Sequence, residues 1–349
     1  MAQLPRPSVI TWSPSVTLVP THQCFNACSY CNFRLPIDSD SLGSGAPTGV
    51  EGLSDAMALQ QLQQRPEALE VLLLSGEVAP SAPQRAAWFA RLRQLSRLAL
   101  ASGRLPHTNA GPLSRSEMAA LGRLNPSMGL MLEGLGPAYD AAHRRAPSKT
   151  LVMRLGQIEQ AGRLGIPFTT GLLLGLGETE QQRFEALELL ALLQRQWGHI
   201  QEVILQPWRP ATSVSSGPLT PAELDALLGT IAAARQILPR EVHLQLPPNL
   251  WPAEHLLQAI EAGIDDLGGI DSSDVINPDW PQPRPADLAT LLANAGWRLQ
   301  PRLCVHPGWI GALPLSLRRR VNALQLSLPA TGQTRLLASN PSAMGRQAR

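Results

Sequence analysis

Short apolar runs of strand length alternate with longer stretches in which apolar residues recur at helical spacing, and the alternation continues almost to the C-terminus. The strand-like runs are VTLVP from Val16, EVLLLS from Glu70, RLPHTN from Arg104 and MGLMLE from Met128. They continue with PFTTGLLLG from Pro167, IQEVILQ from Ile200, EVHLQL from Glu241 and DDLGG from Asp265. Helix starts are readable between them. Ser114-x-x-Glu117 and Thr179-x-x-Gln182 are capping boxes, in which two side chains satisfy backbone N–H groups that the first turn leaves orphaned. Thr220-Pro221-x-Glu223 places proline at the first helical position, where a missing N–H costs nothing.

The runs from Glu70, Pro167 and Ile200 are nearly continuously apolar, as parallel strands covered on both faces must be. A succession of eight β–α units predicts an α/β protein built as a closed (β/α)8 TIM-type barrel rather than an open doubly wound sheet. DDLGG is a poor strand former, so a partial barrel of six or seven strands is the alternative. One barrel domain is expected over 1–328. The small, polar, basic stretch 329–349 reads as a disordered tail. The Ser-, Gly- and Pro-rich stretch from Leu35 to Gly52 reads as a loop over the barrel mouth.

Composition narrows the function classes. A formal net charge of +2 gives no basis for binding nucleic acid or an anionic membrane surface, and hydrophobic residues at 44% suffice for a large core. Arginine supplies nearly all the positive charge, Lys149 being the only lysine, a bias that reads as codon usage. MAQLPRPSVITW lacks the apolar stretch of a signal peptide, and no run reaches the ~18 apolar residues of a membrane helix, which predicts a cytoplasmic protein. Three of the four cysteines fall between positions 24 and 31, a crowding that points to metal rather than to disulfides.

Those three form Cys24-Phe-Asn-Ala-Cys28-Ser-Tyr-Cys31, a C-x3-C-x2-C run after the first strand, on the face where a barrel carries its active site. Three thiolates on one loop can hold three irons of a cubane cluster and leave the fourth open for chemistry, whereas an electron carrier needs four protein ligands. The competing reading is a structural zinc site completed by His22. Cys304, with no cysteine near it in sequence, reads as a small buried hydrophobe.

The C-x3-C-x2-C run, with its aromatic Tyr30 before the last cysteine, resembles the radical S-adenosylmethionine superfamily. The resemblance implies a [4Fe–4S] cluster on Cys24, Cys28 and Cys31, with S-adenosylmethionine bound to the open iron and cleaved to a 5′-deoxyadenosyl radical. Further stretches match in order. Ser75-Gly76-Glu77 resembles the element that holds the cofactor's amino group, with a serine in place of its first glycine. Glu133 matches the acid that binds the ribose hydroxyls, and Arg154 the arginine that reaches the cofactor carboxylate. The run from Gly171 through Leu173 and Gly175 to Glu178 resembles the turn that lines the adenine.

A narrower likeness spans most of the chain. TLVPTHQCFNACSYCNFR, EVLLLSGEV, PHTNAGPLS, APSK and IPFTTGLLLGLGET resemble the CofG-type family of deazaflavin (FO) synthases. That implies a carbon–nitrogen lyase that closes the deazaflavin ring of coenzyme F420 with loss of ammonia. Its implied partners are a sister CofH-type subunit that supplies the substrate and a reductant such as flavodoxin or ferredoxin. Gln206-Pro207-Trp208 departs from the family's pattern on the adenine or substrate wall. A uracil carrying a ribityl chain calls for amide and carboxylate partners, for which Asn109, Gln206, Asn249 and Asp271 at strand ends are the candidates, with His107 as the candidate acid or base. The sister tyrosine-adduct synthase, a menaquinone-pathway relative, and a zinc- or cluster-stabilised binding protein are the alternatives.

Overall fold

The computed structural model describes residues 9–35, 52–211 and 219–328. Its centre is a ring of eight parallel strands. These are β1 (Val9–Leu18), β2 (Glu70–Leu74), β3 (Leu105–Asn109), β4 (Ser127–Gly129), β5 (Phe168–Leu174), β6 (Ile200–Pro207), β7 (His243–Gln245) and β8 (Asp266–Ile270). Each strand pairs with the next, and β1 closes the ring by pairing Ser15–Leu18 with β2 and Thr11–Pro14 with β8. The expected barrel is therefore closed, and even DDLGG takes its place as β8.

Helices return the chain outside the ring, the longest being α2 (Arg85–Ala101), α6 (Glu180–Trp197) and α7 (Pro221–Ile237), with α5 (Leu151–Arg163) after β4. All three sequence-predicted caps are present, with hydroxyl and N3 side chain both bonded at Ser114, Thr179 and Thr220. Strand β5 is buried at every residue, as its unbroken apolar run requires. Core side chains from α2, α5, α6, α7 and the strands form one continuous cluster around the barrel.

Three features differ from the sequence reading. Strand β1 begins at Val9 rather than Val16, because its first residues, Val9–Trp12, pair with an additional strand β9 (Arg298–Pro301). Serine and proline inside VITWSPSVTL mask that half of the strand. Strand β4 is only three residues long, and the chain from Leu130 to Glu133 continues along β5 through single contacts. After β9 the segment Arg302–His306 crosses the N-terminal ends of the strands, where the Cys304 carbonyl accepts bonds from Ser127 Oγ (2.7 Å) and Gln201 Nε2 (3.0 Å). The barrel thus has a polar, closed floor. Helix α10 (Leu315–Ser327) packs against this segment and carries the described chain to its end at Leu328. Residues 36–51 of the loop expected from Leu35 to Gly52, and the tail over 329–349, lie outside the described residues.

Candidate active site

The cysteine loop lies on the opposite face, past the C-terminal end of β1, pinned by backbone bonds to its neighbours. Phe25 N–H donates to Glu77 O (3.0 Å), Ala27 to Arg145 O (2.7 Å) and Ser29 to Ala142 O (3.1 Å). Gly76 N–H donates to Thr21 O at 2.8 Å, so the loops after β1 and β2 run side by side. A Cβ at Gly76 would fall on the Gln23 carbonyl, which is why glycine stands there. The Glu77 amide donates to Cys24 Sγ at 3.3 Å, and Asn26 Nδ2 lies 3.8 Å from the same sulfur.

The three thiols are half-buried and free of disulfides. Three free thiols on one loop, one of them facing the Glu77 amide, are the donor set that a cubane with one open iron would take. His22 does not complete the set: its Nδ1 is 3.1 Å from the Phe33 carbonyl and its ring packs on Phe33. Burial raises the Cys28 thiol to about 11, with Lys149 opposing the shift.

Beside the thiols two buried acids face two buried cations. Glu77 Oε1 accepts from Arg154 at 2.7 Å and lies 3.7 Å from Lys149 Nζ; its Oε2 accepts from Asn26 (2.9 Å) and from Ser148. Glu133 accepts from Lys149, from Tyr30 and from His143, the last at 3.0 Å. Burial pushes both carboxyls up, but Arg154 and Lys149 outweigh it and hold Glu77 low, while Lys149 and the His143 bond hold Glu133 far below the usual range. Both acids are therefore ionised in a nearly dry pocket. Glu133 has a φ of +73°, a left-handed conformation that costs a non-glycine residue energy and aims this carboxylate inward. Arg154 is fully buried, yet its Nε has no partner among the described residues. An unanswered buried donor beside two acids suits a ligand that brings its own carboxylate together with cationic and hydroxyl groups.

With that arrangement in view, comparison with known proteins decides the family. A model of the radical SAM superfamily matches residues 18–190. The 7,8-didemethyl-8-hydroxy-5-deazariboflavin synthase of Synechococcus elongatus is 48% identical over 326 residues, 90% of this chain and 92% of that protein. Its namesake in Thermosynechococcus vestitus is 48% identical over 320 residues, covering 90% and 98%. The chain belongs to the 7,8-didemethyl-8-hydroxy-5-deazariboflavin synthase family. Among solved structures it shares its fold with the FeFe-hydrogenase maturase HydG of Carboxydothermus hydrogenoformans. There the TM-score is 0.66 at 19% identity, over 92% of this chain and 78% of that one. Methylornithine synthase (PylB) gives a TM-score of 0.58 at 13% identity, over 84% of each.

In this family member the turn after β5 is built by its own glycines. Gly175 has a φ of +99°, and the Glu178 carboxylate caps the turn by accepting from the Gly175 (2.8 Å) and Leu176 (2.9 Å) amides. Leu173 is buried and donates its N–H to Glu133 O at 2.8 Å, which joins this turn to the acid pocket. Ser75, where the superfamily pattern has glycine, accepts from the Trp88 indole at 2.9 Å.

The proposed substrate contacts separate into two groups. Asn109 and Gln206 stand half-buried at the C-terminal ends of β3 and β6. Asp271 instead forms an ion pair with Arg65 and accepts from the Thr17 amide at 2.7 Å. Asn249 Nδ2 donates to Asp274 (2.9 Å) and to the Trp280 carbonyl (3.0 Å), while its buried Oδ1 lacks a partner among the described residues. His107 points into the barrel interior with Nδ1 2.7 Å from Ser127 Oγ, in the floor network rather than among the thiols. Burial lowers its pKa, and the charges that act on it are Glu70, Glu202 and Arg302.

Sequence reasoning missed Asn26, His143, Ser148 and Lys149. The available signal was the single lysine in a chain otherwise charged by arginine. It also missed Arg209 and Trp280, which stack at 4.3 Å in the wall after β6, where Trp208 Nε1 donates to the Tyr30 carbonyl at 3.4 Å. A further cluster of potential ligands, Glu202, Asp266 and His306, belongs to the floor, where Arg302 already supplies the positive charge between the two acids.

Proposed function

We propose that this chain is a radical S-adenosylmethionine lyase that forms 7,8-didemethyl-8-hydroxy-5-deazariboflavin from 5-amino-5-(4-hydroxybenzyl)-6-(D-ribitylimino)uracil with release of ammonia, in deazaflavin and coenzyme F420 biosynthesis. The observation that carries the reading is the contact between the thiol loop and the acid pocket, Glu77 N–H to Cys24 Sγ, in a chain nearly half identical to synthases of that name. Cys24, Cys28 and Cys31 would hold a [4Fe–4S] cluster. When bound, cluster and S-adenosylmethionine supply a 5′-deoxyadenosyl radical that removes hydrogen from the substrate.

The protein's own part is binding and exclusion of water. Glu77 would accept from the cofactor's amino group and Glu133 from its ribose hydroxyls, while Arg154 Nε would donate to its carboxylate. The turn from Leu173 to Gly175 offers a flat apolar edge to adenine, and Tyr30 closes the pocket over Cys28. Asn109 and Gln206 are assigned to the substrate, together with Asn249 Oδ1 and Arg209. His107 is retained as the candidate acid or base only through the hydrogen-bonded barrel interior, since Ser127 occupies its Nδ1. A CofH-type sister subunit supplies the adduct, flavodoxin or ferredoxin the electron, and a reducing cytoplasm is the setting that keeps the thiolates available. No helix among the described residues is long and apolar enough to cross a membrane.

The test is anaerobic reconstitution with iron and sulfide, followed by assay with S-adenosylmethionine, a reductant and the purified adduct. Deazaflavin fluorescence and 5′-deoxyadenosine should rise together. Tyrosine plus 5-amino-6-ribitylaminouracil, without the sister protein, should give neither adduct nor deazaflavin. A cluster that never yields 5′-deoxyadenosine defeats the proposal.

A further inference from the structure

Buried polar atoms without partners gather in the loops that follow β6, β7 and β8, on the face of the barrel that carries the cysteines. Arg209 Nε, Asn249 Oδ1, Trp251 Nε1 and Gln282 Oε1 are all buried there and unanswered among the described residues. Leaving such groups unbonded is costly, so a concentration of them beside a site marks where a ligand supplies the missing bonds.

Trp280 ties two of these atoms into one wall. Its indole Nε1 donates to Pro210 O at 3.2 Å, and the Arg209 guanidinium lies over its ring at 4.3 Å. Its carbonyl accepts from Asn249 Nδ2 at 3.0 Å. The wall abuts the cysteine loop on either side of Cys31. Trp208 Nε1 donates to the Tyr30 carbonyl and Asn32 Nδ2 to the Arg209 carbonyl, both at 3.4 Å.

The polarity of both unanswered atoms is fixed. Asn249 Nδ2 donates to the Asp274 carboxylate (2.9 Å) as well as to the Trp280 carbonyl, two groups that only accept, so the amide cannot turn over. Its oxygen stays an acceptor in want of a donor. Arg209 is 8% exposed, and its Nε can only donate. A ribityl hydroxyl donates or accepts as required and would answer either atom. The imide of a uracil does not adapt: its ring N–H only donates, and the carbonyls that flank it only accept. A fixed acceptor beside a fixed donor therefore selects the imide.

We propose that Arg209 and Asn249 recognise the pyrimidinedione ring of the substrate, Asn249 Oδ1 accepting from the imide N–H and the Arg209 guanidinium donating to a flanking carbonyl. This inference rests on the deazaflavin reading above and names the part of the substrate that this wall takes. Ring closure leaves the imide untouched, so substrate and product present the same edge.

The test measures binding without turnover on the cluster-loaded enzyme, by equilibrium dialysis read through deazaflavin fluorescence. The probes are the product, 7,8-didemethyl-8-hydroxy-5-deazariboflavin, and its 3-methyl derivative, in which a methyl group replaces the imide hydrogen. Wild type should bind the product at least about tenfold more tightly, because the derivative leaves a buried acceptor without its donor. Asn249→Ala should abolish that preference. Arg209→Met should weaken both probes at least about tenfold, since both keep the carbonyls, while iron content and S-adenosylmethionine affinity stay at wild-type values. Collapse of the wall onto Tyr30 and Asn32 would lower those two as well.

Equal binding of the two probes by wild type, or a preference that survives in Asn249→Ala, overturns the proposal. So does Arg209→Met with unchanged probe affinities, or with a loss that extends to iron and S-adenosylmethionine. Should Asn249→Ala not fold, Asn249→Ser is read in the same way. Cluster-loaded wild type that binds S-adenosylmethionine but neither probe overturns the deazaflavin reading itself, a result distinct from a missing preference.

Discussion

The backbone N–H of Glu77 points at the thiol of Cys24 from 3.3 Å, so the ligand loop after β1 and the acid after β2 form one unit. That contact depends on two loops lying closer than side chains allow, with Gly76 against the Gln23 carbonyl. Gly76→Ala must push the loops apart, and it acts on the cysteines without altering any of them. We expect the variant to remain folded, with a circular dichroism spectrum like wild type, and to lose most of its iron after reconstitution. Full iron content in Gly76→Ala would show that the cluster does not need this junction.

Cysteine identity separates site from scaffold. Cys24→Ala, Cys28→Ala and Cys31→Ala should each fail to retain a [4Fe–4S] cluster, measured as iron and sulfide per chain. Cys304 is buried at the opposite end of the barrel, its carbonyl held by Ser127 and Gln201. Cys304→Ala should keep full iron content and lose only about 1 kcal/mol of stability in urea denaturation.

What could be read in advance follows from how local each signal is. The strands β2, β5 and β6 carry their burial in their own composition, and the capping boxes at Ser114, Thr179 and Thr220 need only neighbours three residues away. The thiol run was legible for the same reason. Strand β9 was not, since Arg298–Pro301 earns its place only by pairing with Val9–Trp12, nearly 300 residues earlier. The acid pocket was half legible. Glu77, Glu133 and Arg154 were found by motif, but Lys149 and Ser148 complete it through contacts that no spacing rule encodes. The ion pair of Asp271 with Arg65 was not legible, because a strand-end acid and an ion-pair acid look alike until Arg65 appears beside it.

Ser75 has an ordinary structural use. Its hydroxyl accepts from the buried Trp88 indole at 2.9 Å and donates to the Gly76 carbonyl at 2.9 Å, outside the acid pocket. Ser75→Ala leaves a buried N–H without an acceptor, at a cost of about 1–3 kcal/mol. Denaturation should register that loss while S-adenosylmethionine affinity stays unchanged. A fall in affinity without a fall in stability would place Ser75 in the cofactor site instead.

His199 should make the protein acid-sensitive. Its Nε2 lies 2.8 Å from the Ile158 carbonyl, so it carries the ring proton, while the buried Nδ1 has no partner among the described residues. Burial lowers its pKa from 6.5 to about 4, the bond to Ile158 opposing the shift. The folded state therefore prefers the neutral ring, which stabilises it above pH 6.5, and that contribution is lost as pH falls from 6.5 towards 4. By linkage the loss is about 2 kcal/mol at pH 5. His199→Gln keeps a donor for Ile158 without a titrating ring. The gap between wild type and variant in urea midpoint should shift in the variant's favour by that amount from pH 7.5 to pH 5. A pH-independent gap would mean that His199 does not titrate as its surroundings require.

The floor of the barrel is held by one cation. Arg302 Nε lies 2.5 Å from Asp266 Oδ2, and the same guanidinium reaches Asp266 Oδ1 at 2.7 Å and Glu202 Oε1 at 2.6 Å, all of it buried. Burial alone would raise the Asp266 carboxyl; Arg302 reverses the shift and holds it well below the usual range. Arg302→Met removes the cation and leaves both acids in a dry interior, which should cost about 3–5 kcal/mol at neutral pH. Without the arginine, burial raises the folded-state pKa of Asp266 above its unfolded value, so protonation relieves the variant. Its deficit should therefore shrink below the unfolded carboxylate range and grow as pH rises through the raised folded value. Adding Asp266→Asn and Glu202→Gln removes the stranded carboxyl groups and should recover most of the loss at pH 7. If the triple variant is no more stable than Arg302→Met, the guanidinium contributes through packing rather than charge.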